Sequence, residues 1–179
     1  MSQYGGRGRC FGVAGLVLLL SGTVVAGELK YDDGTADGKK SLGGSGEMIR
    51  YDFGSDPVAV TGVSIFGSRY GYPQPPDEDF LVYFLSPDER TVLATRMAPY
   101  SLFERGDEKW GQAEFEQPVE VSGEVWVVVD FRAHARKGVY VGYDTSGGGG
   151  HSRSGLPGLR SKDVDFEGDW MIRVQTGER

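Results

Sequence analysis

The sequence has very few of the residues that support nucleophilic or thiolate chemistry. It contains one cysteine, Cys10, and two histidines, His134 and His151, among 179 residues. A lone cysteine near the N-terminus excludes internal disulfides and cysteine-based zinc sites from the rest of the chain. The stretch "GHSRSG" around His151 departs from the GxSxG nucleophile elbow, because Ser154 stands where glycine is required. Stability must therefore come from packing, and a catalytic triad is not expected.

Long apolar runs are missing except at the N-terminus. Arg7 and Arg9 precede the run "FGVAGLVLLL", and small residues at Val24 and Ala26 follow it. This three-part layout predicts a secretory signal peptide over residues 1–26, cleaved after Ala26. The alternative, an uncleaved anchor, is disfavoured because the apolar stretch is short and interrupted by glycine and serine. We expect a secreted or periplasmic protein, with no membrane attachment after cleavage.

Positive charge is also scarce. The chain has 26 acidic and 19 basic residues, and removal of residues 1–26 takes away two arginines and no acids, which leaves a formal charge of −9. Such a charge opposes nonspecific binding to nucleic acid or anionic lipid, so we predict no nucleic-acid partner. The one basic cluster, "RAHARK" over residues 132–137, is typical of a solvated loop.

Helical periodicity is almost absent, whereas short apolar or alternating runs recur about every ten residues between glycine, proline and aspartate. The pattern predicts one all-β domain over residues 27–179, a jelly-roll-like antiparallel β-sandwich of about nine strands. Those strands are predicted to begin at Glu28, Gly46, Ala59, Asp79, Thr91, Lys109, Glu124, Gly138 and Asp169.

Particular segments sharpen this prediction. "LVYFL" and "TVLAT" flank "SPDER" and predict a hairpin. "VWVVV" is apolar on both faces and predicts a central strand, with Val127 and Val129 in the core. We also place Trp126 and Trp170 in the core, and Trp110 at an exposed rim.

The segment "SRYGYPQPPDEDF", residues 68–80, is the strongest candidate for a binding site. Its three prolines predict a stiff, exposed connection, and stiffness lowers the entropy lost on binding. The candidate ligand-binding residues are Tyr70, Tyr72, Asp77, Glu78, Asp79 and Trp110. Tyrosine and tryptophan rings offer contact area to a glycan or a protein.

Three adjacent carboxylates also require a neutralising partner, for which Arg69, Arg105, Lys109 or a bound cation are candidates. Two other interpretations of the segment remain open. One is a loop held by ion pairs, and the other is a carboxylate-dependent hydrolase acting on polysaccharide, with Asp77 and Asp79 on one face.

A structural calcium site is the second candidate. In "DVDFEGD", Asp163, Asp165 and Glu167 occupy positions one, three and five of a calcium-loop pattern, with Gly168 at six. Position twelve is Val174, where a bidentate glutamate is required. The alternative is a turn in which the aspartates bind their own backbone.

Several motifs in order carry a resemblance: "YDDG" from Tyr31, "RYGYPQPPDEDF" from Arg69 and "GDWMIR" from Gly168. Together they resemble a family of bacterial extracytoplasmic β-sandwich domains that occur behind a signal peptide or within larger secreted proteins. The resemblance implies a jelly-roll-like sandwich with an accessory or binding role, and it supplies no catalytic residues. We therefore expect a noncatalytic secreted domain. A plain structural module in a larger surface assembly is a further alternative.

Overall fold

The computed structural model describes Met1 and residues 27–177, so the predicted signal peptide lies outside the described residues apart from Met1. The described chain forms two antiparallel sheets, which confirms the predicted all-β sandwich. The strands are β1 (Gly27–Leu29), β2 (Gly38–Lys40), β3 (Gly46–Asp52), β4 (Val58–Gly71), β5 (Asp79–Leu85), β6 (Val92–Pro99), β7 (Lys109–Val121), β8 (Glu124–Asp130), β9 (Lys137–Asp144), β10 (Ser152–Gly155), β11 (Lys162–Asp163), β12 (Asp169–Trp170) and β13 (Ile172–Gly177). A short 3-10 helix, Tyr100–Leu102, follows β6.

The first sheet has the order β1-β13-β4-β9-β12, with β2 joined to β9 and β7 joined to β4. The second has the order β11-β10-β3-β8-β5-β6. From β3 onward the chain crosses between the sheets at most connections, as the jelly-roll-like prediction requires; the β5–β6 hairpin stays within one sheet. Among residues 27–177 no helix is long and apolar enough to cross a membrane.

Residues 27–177 form thirteen strands, where about nine were predicted. β2, β10 and β11 are two to four residues long and rich in glycine, serine or lysine, so they carry no apolar pattern. The predicted strand at Asp169 is divided at Met171 into β12 and β13. There the Met171 amide donates to the Gly142 carbonyl of β9, and its carbonyl accepts from the Phe66 amide of β4.

The core lies between the two sheets. β8 is central, between β3 and β5, and Val127 and Val129 are fully buried in the core, as predicted. Trp170 also belongs to this core. Trp126 is buried as predicted, but it belongs to a separate cluster with Met48, Leu85 and Val128. Alternation along β8 places that cluster on the outer face of the sheet.

A carboxyl group interrupts this apolar interior. Glu47 lies on the same face of β3 as Ile49 and Tyr51 and is only 1% exposed. Its Oε1 accepts a long hydrogen bond of 3.3 Å from the Leu42 amide, and its Oε2 has no partner among the described residues. Burial raises the pKa of Glu47 to about 8, so the side chain is mainly neutral at pH 7.

On one side of the sandwich, which we call the open side, edge strands of the two sheets lie next to each other. Within residues 27–177, β6 pairs only with β5, and β7 pairs only with β4. The Arg96 guanidinium of β6 spans the gap, since its Nε donates to the Gln117 carbonyl (3.0 Å) and its Nη2 to the Pro118 carbonyl (3.2 Å) of β7.

Candidate functional site

The proline-rich segment is held in place by Arg69, which lies near the end of β4 and is buried. Its Nη1 donates to the Tyr72 carbonyl (2.6 Å), and its Nη2 donates to the Pro73 carbonyl (2.7 Å). Its Nε donates to the Phe103 carbonyl (3.1 Å). Arg69 therefore fixes the backbone of the segment and does not neutralise the acids, contrary to one of the predictions.

The two tyrosines of the segment have different environments. Tyr70 is half-buried; its hydroxyl lies 3.2 Å from the Ser41 hydroxyl and donates to the His134 carbonyl at 3.2 Å. Tyr72 is 47% exposed and has no ring contact among the described residues, so its ring face is open to a ligand. Of the pair, Tyr72 is the one available for recognition.

Glu78 is the ion-paired member of the acidic triplet. Its Oε1 lies 2.7 Å from Lys137 Nζ, and its Oε2 lies 3.4 Å from Arg132 Nη2. The hydrogen bond from Lys137 holds the pKa of Glu78 below its usual value. Lys137 itself is buried, with its Nζ 5.3 Å from the centre of the Tyr100 ring. The prediction of a solvated loop over residues 132–137 is therefore wrong for Lys137.

Asp77 and Asp79 differ from Glu78. Among the described residues, neither carboxylate has a hydrogen-bond or ion-pair partner, although the Asp79 carbonyl accepts from Arg132. Lys109, another predicted partner, lies 2.7 Å from Glu104 instead. Asp77 and Asp79 thus present two uncompensated charges at the surface.

Both aspartates line an open hollow of about 350 Å³. Its walls are the segment from Gln74 to Asp79, together with Pro99 and Ser101. Asp79 also lines a second hollow, of about 450 Å³, on the open side of the sandwich. That hollow is bordered by Thr95–Met97 of β6 and Glu114–Gln117 of β7. We call the two hollows, which share Asp79, the acidic track.

Trp110 lines neither hollow of the track. It is half-buried on β7, with its ring 5.3 Å from that of Phe66 and 4.0 Å from the Arg173 guanidinium. Arg173 is held in turn by Asp32, at 2.5 Å. The structure therefore does not bring Trp110 together with the other predicted ligand-binding residues.

The three predicted calcium ligands do not converge. Asp163 lies 3.1 Å from Arg153, and Asp165 lies 2.7 Å from Lys40. Glu167 is exposed. Across the described part of the chain, no group of three histidine, cysteine, aspartate or glutamate side chains is placed to hold a metal ion. The calcium site remains a prediction without geometric support.

Asp163 and Glu167 instead line another hollow, of about 680 Å³, beside the glycines at 148–150. Its two arginines are already engaged. Arg153 lies 2.8 Å from Glu89 as well as 3.1 Å from Asp163, and Arg50 lies over the face of Trp126. Because these groups satisfy one another, a ligand would have to break existing contacts to use them.

A histidine–aspartate pair was not foreseen from the sequence. His151 Nδ1 lies 2.9 Å from Asp169 Oδ2, and the His151 amide donates to Asp169 Oδ1, also at 2.9 Å. The Tyr31 ring stacks on the imidazole at 3.7 Å. The Ser152 hydroxyl accepts from the Trp170 amide, so it is not directed at the histidine as a nucleophile. Because the partners lie 18 positions apart in the sequence, local sequence gave no signal for the pair.

Comparison with known proteins does not assign the chain to a family. The chain matches no protein-family model, and a search of curated proteins finds no significant match.

Proposed function

We propose that the protein is a noncatalytic binding domain, acting outside the cytoplasm, that recognises an extended glycan or protein through the acidic track. One observation carries the proposal: Asp77 and Asp79 stand without partners on a segment whose backbone is held by buried Arg69.

Preorganisation supports this function. An exposed loop normally loses conformational entropy when it binds, and that loss subtracts from affinity. Here the prolines at 73, 75 and 76 and two hydrogen bonds from Arg69 already fix the loop in the free protein. Uncompensated surface carboxylates have no stabilising role within the fold, whereas they would attract a partner with cationic or hydrogen-bond-donating groups.

The track also suits an elongated ligand better than a compact one. Its two hollows are both open and meet at Asp79. Tyr72 adds an exposed ring close to the proline segment. Export through the predicted signal peptide would place this surface where glycans and cell-surface proteins are available.

The test is a paired substitution, Asp77→Asn with Asp79→Asn, assayed against a glycan array and immobilised surface proteins. Both residues are exposed or half-buried and unpaired, so we expect lost binding with an unchanged melting temperature. Asp56→Asn, an exposed position before the start of β4, serves as the matched control.

Retained binding in the double variant would count against the proposal. Turnover of a polysaccharide by the wild type, abolished in Asp79→Asn alone, would favour the hydrolase instead.

A further inference from the structure

We propose that the ligand of the acidic track is an extended, basic polypeptide that pairs with the free edge of β6 as an added strand. The inference rests on the proposed function, because it names the class of partner for the same surface.

The edge itself is open. β6 has a ladder partner, β5, on one side only within residues 27–177, so the backbone groups on its other side lack strand partners. Proteins usually protect such edges with charged side chains, prolines or bulges, since an unprotected edge pairs with other chains. In β6 a bulge and a proline occur only at the two ends of the strand. The bulge is at Leu93, where the register with β5 shifts between Phe84 and Leu85, and Pro99 is the last residue of the strand. The segment from Ala94 to Ala98 remains regular.

The side chains of this edge also suit a partner strand. Met97 is 66% exposed, and Leu93 is 49% exposed. The charge of Arg96 does not protect this edge from pairing, because its guanidinium is already bound to carbonyls of β7 and to the Thr95 carbonyl. An incoming strand could therefore bury Met97 without stripping a charged side chain from water.

Charge selects a basic partner. The residues that line the two hollows include five acids and one base, Arg96. Glu78 is compensated by Lys137 and Arg132, which leaves Asp77, Asp79, Glu114 and Glu116 to determine the local field. A lysine- or arginine-containing strand would complement this surface and would be steered to it at low ionic strength.

A polypeptide fits these features better than a glycan. Backbone donors and acceptors spaced along a strand match another strand, and the apolar side chain of Met97 has no sugar-stacking face. Glycan binding would depend on exposed aromatic rings, and beside the track that contribution falls to Tyr72. The ligand of the acidic track is therefore a peptide strand, and the experiment below distinguishes it from a glycan.

The probe is an acetylated and amidated peptide of four Lys-Val repeats, titrated into the protein of residues 27–179 by calorimetry. Its matched control is the same peptide N-methylated at every lysine and valine amide, which keeps the charge and removes the ladder donors from both edges of the strand. We expect N-methylation to weaken binding by at least about tenfold, because several hydrogen bonds are lost together. Hydrogen exchange should show new protection at the amides of Ala94–Ala98 when the unmodified peptide is bound.

A second pair of variants tests the edge from the protein side. Met97→Lys places a cation on β6 and should weaken the Lys-Val peptide at least about tenfold. Leu159→Lys changes an equally exposed apolar residue that lines neither hollow, and it should bind as the wild type does. Both sites are exposed, so neither variant should fail to fold.

The possible failures are distinguishable. No binding of the Lys-Val peptide, equal binding of its N-methylated form, or unprotected β6 amides would each overturn the inference. A glycan that binds and is lost with Asp77→Asn and Asp79→Asn would leave the proposed function standing while overturning the inference. If the peptide protects β6 but the double aspartate variant binds every probe normally, the edge pairing survives and the role of the aspartates in the proposed function fails.

Discussion

Glu47 provides the most quantitative test of the structure. In the unfolded chain this carboxyl has its ordinary pKa of 4.5, whereas burial in the folded core raises the pKa to about 8. Between these values the unfolded chain releases the proton and the folded protein retains it. Rising pH therefore favours unfolding.

The size of the effect follows from the two pKa values. The contribution of Glu47 to the free energy of unfolding has its full value below about pH 4.5. Above that pH it falls by about 1.4 kcal/mol per pH unit, and it levels off near pH 8. The accumulated loss is roughly 3 kcal/mol at pH 7 and roughly 5 kcal/mol above pH 8. Losses of this size are a large fraction of the stability of an ordinary domain.

The perturbation is Glu47→Gln, which keeps the shape and removes the titration. Urea unfolding of both proteins at pH 5, 6, 7 and 8 gives the free energy of unfolding at each pH. We expect the difference in the free energy of unfolding, variant minus wild type, to increase by roughly 3 kcal/mol from pH 5 to pH 7. The other titrating groups are shared by the two proteins and cancel in this difference. Glu116→Gln, at an exposed position on β7, should show no such gain. Parallel stability profiles for Glu47→Gln and the wild type would refute the placement of Glu47 in the core.

Three further outcomes follow from the described contacts. Arg69→Met should lower the free energy of unfolding by about 2 kcal/mol, seen in urea melts, and should expose the proline-rich segment to proteolysis, since three carbonyls lose their donor; an unchanged proteolysis pattern would contradict the pinning role. Gly71→Ala should lower the free energy of unfolding by at least about 2 kcal/mol, because φ is +88° there and an added Cβ would lie 1.9 Å from the Arg136 carbonyl oxygen. An unchanged melting temperature in this variant would contradict the steric conflict. Calcium at about 1 mM should leave the melting temperature unchanged, because the carboxylates of residues 163–167 do not converge; a clear rise would restore the calcium prediction.

The architecture was predictable where burial left a regular pattern. The apolar run of β8, which has no polar face, predicted its central position, and Pro87 with Asp88 predicted the hairpin between β5 and β6. The short strands escaped prediction for a physical reason. β10 and β11 contain no large apolar residue, so pairing with neighbours far along the chain determines their conformation, and local composition does not.

For the candidate site, the sequence indicated the backbone conformation of the proline-rich segment better than it indicated the contacts of its side chains. Prolines predict a stiff segment wherever they lie, and hydrogen bonds from Arg69 to the Tyr72 and Pro73 carbonyls hold the backbone of this one. The partners of Glu78 were not foreseeable, because Lys137 lies 59 residues away and reaches it only when β9 takes its place beside β4. The surroundings of Trp110 were not foreseeable for a similar reason, since the neighbours of its ring come from β4 and β13.

The pairing of β1 with β13 has a consequence for how the protein is made. Among residues 27–177, β1 and β13 are the first and last strands and lie side by side, and β13 also pairs with β4. A chain emerging from the ribosome therefore lacks a central strand of this sheet until β13 has been synthesised. Most of its pairings are non-local, which makes β-sandwiches slow to fold. The layers of the sandwich can therefore close only after β13 has joined β1 and β4.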